Sequence, residues 1–200
     1  LNYNTIQQFI NNSLENKEYN LARYFYSCLL EDIKKIPNEK VADIYYDRAM
    51  VLLKMNQTCY NYNAIDDIKS AVEYTKKYAE TLSYMEVNEY LDGKYDKYNY
   101  KLGEINKKLK KYSEAINYFN DISENSQLYS KAKVQCQECV KLKEETEQLL
   151  KQKKYEEQER KREQKLRQAE STYNKAMKEF KEHNYEKAKK TIEEAIAISN

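Results

Sequence analysis

Small and bulky apolar residues recur along this chain around a repeated polar turn. Asn16-Lys-Glu-Tyr19-Asn-Leu-Ala22, Lys110-Lys-Tyr112-Ser-Glu-Ala115 and His183-Asn-Tyr185-Glu-Lys-Ala188 each set a Tyr three residues before an Ala, and Lys153-Lys-Tyr155-Glu-Glu-Gln158 keeps the Tyr without the Ala. Gly103 stands twelve residues before Ala115 with Phe119 and Ile122 after it, and Ala176 stands twelve before Ala188 with Ile192 and Ala195 after it. Two antiparallel helices approach closely only where facing side chains are small, so one small residue is wanted in each helix of a pair. Gly103 is therefore expected to face Ala115, and Ala176 to face Ala188. Phe119 and Ile192, one turn further along the same face, are expected to fill the gap toward the next hairpin. The pattern predicts about four helical hairpins, over residues 3–35, 41–76, 95–123 and 169–199. In the second, Tyr45, Ala49, Leu52, Ala64, Ile68 and Ala71 carry the pattern, with three extra residues between the small positions; in the first, Ile10 takes the first small site.

Between these hairpins lies a stretch of another kind. From Lys151 to Lys165 the one apolar residue is Tyr155 among Lys, Arg, Glu and Gln, nearly all good helix formers. Glu147 to Lys151, Glu156 to Arg160, Glu157 to Lys161 and Glu163 to Arg167 are spaced as ion pairs of about 0.2–0.5 kcal/mol each. The favoured reading is a solvated helical spacer, with a degenerate hairpin turning near Tyr155 as the alternative. A coiled coil would need an apolar heptad that this stretch lacks. The expected organisation is a hairpin array over 1–140, a charged spacer over 141–168 and a C-terminal hairpin over 169–200.

Leu102-Gly103, Tyr112, Ala115 and Phe119 in one unit, and Ala176, Phe180, Tyr185, Ala188 and Ala195 in another, resemble the tetratricopeptide repeat family. The family's loop proline is missing, Pro37 being the chain's one proline. The resemblance implies an all-α solenoid of hairpins whose first helices line a concave groove for an extended peptide or a partner helix. By hairpin alignment that groove would be lined by Gln7, Asn11, Tyr46, Asp47, Met50, Tyr100, Lys101 and Glu104. Co-chaperones of this family grip a terminal carboxylate with Lys, Asn and Arg. Here the matching sites hold Gln7, Asn11 and Asp47, and Asp47 would repel a carboxylate.

Composition supports an all-helical chain, since 2 Gly and 1 Pro in 200 residues leave little of the punctuation that sheets need. Basic and acidic residues balance at 35 to 33, so no chain-wide field draws nucleic acid or an anionic membrane. No apolar run approaches the roughly 18 residues of a membrane span. The expectation is a soluble, cytoplasmic chain with reduced thiols. Cys136-Gln-Glu-Cys139 would place two sulfurs on one helix face, yet no second such pair exists and the chain has 1 His. The pair reads as structural thiols, and His183 as a turn residue. The basic cluster Arg160-Lys161-Arg162 is interleaved with Glu156, Glu157, Glu159 and Glu163, which cancels the potential that nucleic acid would need. No phosphate-cradling or metal-binding motif is present. The reading is a non-catalytic protein-protein interaction scaffold, co-chaperone or assembly adaptor in kind. It implies a protein or peptide partner, no cofactor, no metal and no small-molecule substrate. The alternative is a structural subunit embedded in a larger complex, such as a ribonucleoprotein.

Overall fold

The computed structural model describes residues 2–199, and among them regular structure is helical throughout. Two compact units divide the chain, one reaching to Lys143 and one starting at Glu144. The first unit holds α1 (Tyr3–Glu15), α2 (Tyr19–Glu31), α3 (Asn38–Lys54), α4 (Thr58–Ala79), α5 (Tyr84–Leu91), α6 (Lys94–Lys108), α7 (Tyr112–Asn120) and the first turns of α8 (Tyr129–Lys181). The remainder of α8 and α9 (Tyr185–Ser199) make up the second. The pairs α1/α2, α3/α4 and α6/α7 pack together in the first unit.

One local device builds each hairpin. Lys17, Asn56, Lys110 and His183 sit in the left-handed region at φ 59, 52, 60 and 63°, each two residues before the helix that follows. A helix that ends this way satisfies its last carbonyls from the turn. Glu18 N–H donates to the Ser13 carbonyl at 2.8 Å, Lys111 N–H to Asn106 at 2.9 Å and Asn184 N–H to Glu179 at 3.0 Å, all bridging five residues. Counted from the left-handed residue, the position seven before is Ile10, Ala49, Gly103 or Ala176, and the position five after is Ala22, Asn61, Ala115 or Ala188. All eight are buried. The second hairpin therefore keeps the spacing of the others with Asn61 in the small slot, and the insertion expected before Ala64 is not there.

Packing around Gly103 adds to what was expected of Phe119. A Cβ built on Gly103 would lie 2.5 Å from Cε1 of Phe119, so the glycine's missing side chain makes room for the Phe119 ring within its own hairpin. The ring thus packs inside its own hairpin as well as against Ala132 and Cys139 of the helix that follows. Tyr100 meets it edge-on at 5.7 Å.

A polar clamp joins the first two hairpins. Arg48 on α3 grips Asp67 on α4 with two hydrogen bonds, 2.9 Å from Nε and 2.6 Å from Nη2, and donates from Nη1 to Ser27 Oγ on α2 at 3.2 Å. A bidentate guanidinium is the arrangement that best repays burying a carboxylate.

Helix α8 is longer than the charged stretch alone. Its first turns bury Ala132 and Cys139 beside Ala115, Phe119 and Ile122. From Glu144 to Gln168 every residue is exposed, and the helix passes through Tyr155 without a turn. Lys161–Glu157 pairs at 2.7 Å and Arg167–Glu163 at 3.9 Å, while Glu156 accepts instead from Gln152 at 2.9 Å. The charged stretch is thus no element of its own, because the same helix continues to form the first half of the last hairpin. In the second unit Ala176 and Glu179 of α8 are buried together with Ala188, Thr191 and Ala195 of α9. The Glu179 carboxylate accepts from Thr191 Oγ1 at 2.7 Å and from Lys187 at 3.3 Å, and the Thr191 bond leads in holding its pKa below the usual range.

Candidate functional site

The first helix of each hairpin in the first unit carries the residues expected to line a groove. On α1, Gln7 is half-buried and its Nε2 reaches Asn11 Oδ1 at 3.5 Å, leaving its Oε1 buried with no donor. On α3, Asp47 is exposed, yet loss of water around its carboxyl pushes the pKa up; the Asp43 charge adds to this and Lys97 offsets part. On α6, Lys101 is paired with Glu104 at 2.6 Å. Met50 is half-buried against the second hairpin's core, and Tyr100 is half-buried against Phe119.

Tyr46 does not belong to the surface. It is 5 % exposed, part of a core with Ala42, Ala49 and Tyr98, and its ring centroid is 5.3 Å from that of Tyr98. Gln7 and Tyr100 occupy the equivalent place in their hairpins, ten residues before the left-handed turn, and both stay partly open. Tyr46 is drawn under because Tyr98 on one side and Lys97, 4.1 Å above its ring, close over it.

Five further residues, Tyr3, Glu39, Asp43, Lys94 and Lys97, complete the surface. Tyr3, one turn before Gln7, feels Asp43, Asp47 and Glu39 strongly enough that, after burial, these three charges raise its hydroxyl pKa. Lys94 bridges to Asp43 at 3.0 Å and lies 4.1 Å over the Tyr90 ring. Glu39, Asp43 and Asp47 follow one another at four-residue spacing, which puts three carboxylates along one face of α3. Extending the aligned stripe one turn toward the N-terminus of α1, α3 and α6 would have found Tyr3, Asp43 and Lys97 from the sequence.

No family model, curated protein or solved structure matches this chain.

The remaining chemistry is sparse. Cys139 is fully buried and Cys136 donates to Asn120 Oδ1 at 3.3 Å, and burial pushes both thiols up. His183 is the left-handed turn residue of the last hairpin and meets the Tyr185 hydroxyl at 2.7 Å. No three His, Cys, Asp or Glu side chains converge among the described residues. A cavity of about 280 Å³ between α2, α3 and α4 is lined by Arg23, Ser27, Asp66 and the Arg48–Asp67 clamp; the clamp's donors and acceptors are engaged with one another and with Ser27, while Arg23 Nε is buried without an acceptor. No helix among the described residues is long and apolar enough to cross a membrane.

Proposed function

We propose that this chain is a non-catalytic binding scaffold of tetratricopeptide-like hairpins, whose stacked first helices take a protein segment rich in hydrogen-bond donors, such as a basic peptide or helix. One observation carries this reading, namely that acceptors outnumber donors on that surface. Glu39, Asp43, Asp47 and Glu104 face Lys94, Lys97 and Lys101; Lys94 and Lys101 are committed to Asp43 and Glu104, and Lys97 lies over the Tyr46 ring and offsets only part of the Asp47 charge, with no ion pair to Asp47 among the described residues. A lysine or arginine of a ligand would supply the missing positive charge beside Asp47. An acidic tail would meet Glu39, Asp43 and Asp47 instead, a like-charge contact that costs several kcal/mol when desolvated. Tyr3, Met50 and Tyr100 offer apolar contact beside the carboxylates.

Fluorescence anisotropy with labelled lysine-rich and glutamate-rich peptides tests the reading. The lysine-rich peptide should bind, and Asp47→Lys should weaken it at least tenfold, about 1.4 kcal/mol. Equal binding of both peptides, or capture that survives Asp47→Lys and is lost when Arg160, Lys161 and Arg162 become Ala, would move the binding surface to the charged helix and favour the embedded-subunit alternative.

A further inference from the structure

The second unit leaves most of its large apolar side chains outside. Its buried residues are small or polar, whereas Leu166, Tyr173, Phe180, Tyr185 and Ile196 are 49 to 55 % exposed in the whole chain. They are not scattered. Leu166, Tyr173 and Phe180 follow at seven-residue spacing on α8, Tyr185 and Ile192 repeat that spacing on α9, and the Phe180 and Tyr185 rings meet at 5.2 Å, which joins the two stripes. A two-helix hairpin that fully buries only alanines, a threonine and a glutamate, with Met177, Ile192 and Ile198 half-buried, has a thin core, so this face needs a cover.

The charges on α9 say what covers it. Lys189 and Lys190 precede Glu193 and Glu194 by one turn, all four are exposed, and none is ion-paired within the chain among the described residues. Lysine placed before glutamate is the weaker order for pairing along one helix. Of these four, Lys189 and Glu193 flank the face that Tyr185, Ile192 and Ile196 share, whereas Lys190 and Glu194 lie on the far side of the helix. A second α9 laid antiparallel across Ile192 would set Lys189 of each copy beside Glu193 of the other, twice by symmetry; a parallel partner would set like against like. We infer that the second unit is a homodimerisation element, joining two copies of this chain through the Leu166, Tyr173, Phe180, Tyr185, Ile192 and Ile196 face with α9 antiparallel to α9. The apolar face supplies affinity and the charges fix the orientation. This inference is independent of the groove reading.

Light scattering after size exclusion on the full chain should give twice the chain mass at about 100 µM. Ile192→Asp with Ile196→Asp should give a monomer. Because those changes could also disturb the hairpin, charge reversal keeps the test sharp. Lys189→Glu should weaken self-association at least tenfold, as should Glu193→Lys, and mixing the two reversed chains should restore a dimer containing one of each. A monomeric wild type, or reversed chains that each dimerise as the wild type does, would overturn the inference.

Discussion

Asn61 and Gly103 both occupy sites where a hairpin wants a small side chain, and they predict opposite responses. Asn61 is 3 % exposed and its Oδ1 is buried without a donor, a loss of the order of 1–3 kcal/mol in such a place. Asn61→Ala should raise stability by about 1 kcal/mol, since it removes the orphaned carbonyl and restores the residue used at Ala22, Ala115 and Ala188. Gly103→Ala should lower it by about 1–3 kcal/mol, because the new Cβ drives into the Phe119 ring. Thermal unfolding followed by circular dichroism reads both, and shifts of the same sign would break the repeat register. The same residues show why the sequence was only partly legible. The small slots were visible where they hold Ala or Gly, whereas the polar Asn61 disguised one and made Ala64 look like it. Left-handed turns are usually marked by glycine, but here Lys17, Asn56, Lys110 and His183 adopt them; three show only through the Tyr two residues on, and Asn56 lacks that Tyr. The alignment sets Tyr46 in the groove lining because nothing in the sequence signals that Tyr98 and Lys97 close over it. Tyr46→Ala should therefore cost about 3–5 kcal/mol of stability, as core aromatics do, whatever it does to binding.

Between elements, the Arg48–Asp67 clamp is the contact whose loss should be felt most. Asp67→Ala leaves a guanidinium that is 22 % exposed without its carboxylate, and its partial access to water brings the cost to roughly 2–4 kcal/mol. Replacing both at once, Arg48→Met with Asp67→Leu, should recover most of that loss, and chemical denaturation of the single and double variants measures the coupling. Loss in the double variant equal to the sum of the singles would show that the two side chains do not act together. On α8, by contrast, Lys161→Ala should change the melting temperature little, since its pair with Glu157 is exposed. The four hairpins were legible because close helix packing writes itself into sequence as small residues at fixed spacing. The length of α8 was not, because Glu, Lys, Gln and Arg continue a helix without stating where it starts or stops. Helix α5 was overlooked although its signal is plain: Ser83 caps it, and Glu86 three residues on accepts from Ser83 N–H at 3.0 Å.

At the scale of the whole chain, the two units should respond differently to alkali. Burial raises the hydroxyl pKa of Tyr26, Tyr46 and Tyr98 in the first unit, Tyr98 to about 12. A tyrosine whose folded pKa lies above its unfolded value near 10 favours the folded state fully below that value, and the contribution is lost as pH rises through the folded pKa. The first unit should hold its helicity to about pH 10 and lose it increasingly toward pH 12. The buried face of the second unit carries no tyrosine. Absorbance of tyrosinate and helicity measured across the same pH range would follow each other in the first unit, and ionisation of all its tyrosines near pH 10 without loss of helix would refute this. The bare middle of α8 has a consequence of a different sort. Its peptide groups are shielded by the helix alone, so opening there costs only the local helix-coil free energy and not that of a core. Amide hydrogens from Glu144 to Gln168 should exchange with deuterium far sooner than those of α3 and α4, and trypsin, offered Lys151, Lys153, Lys154, Arg160, Lys161 and Arg162 in that window, should nick the folded chain there first.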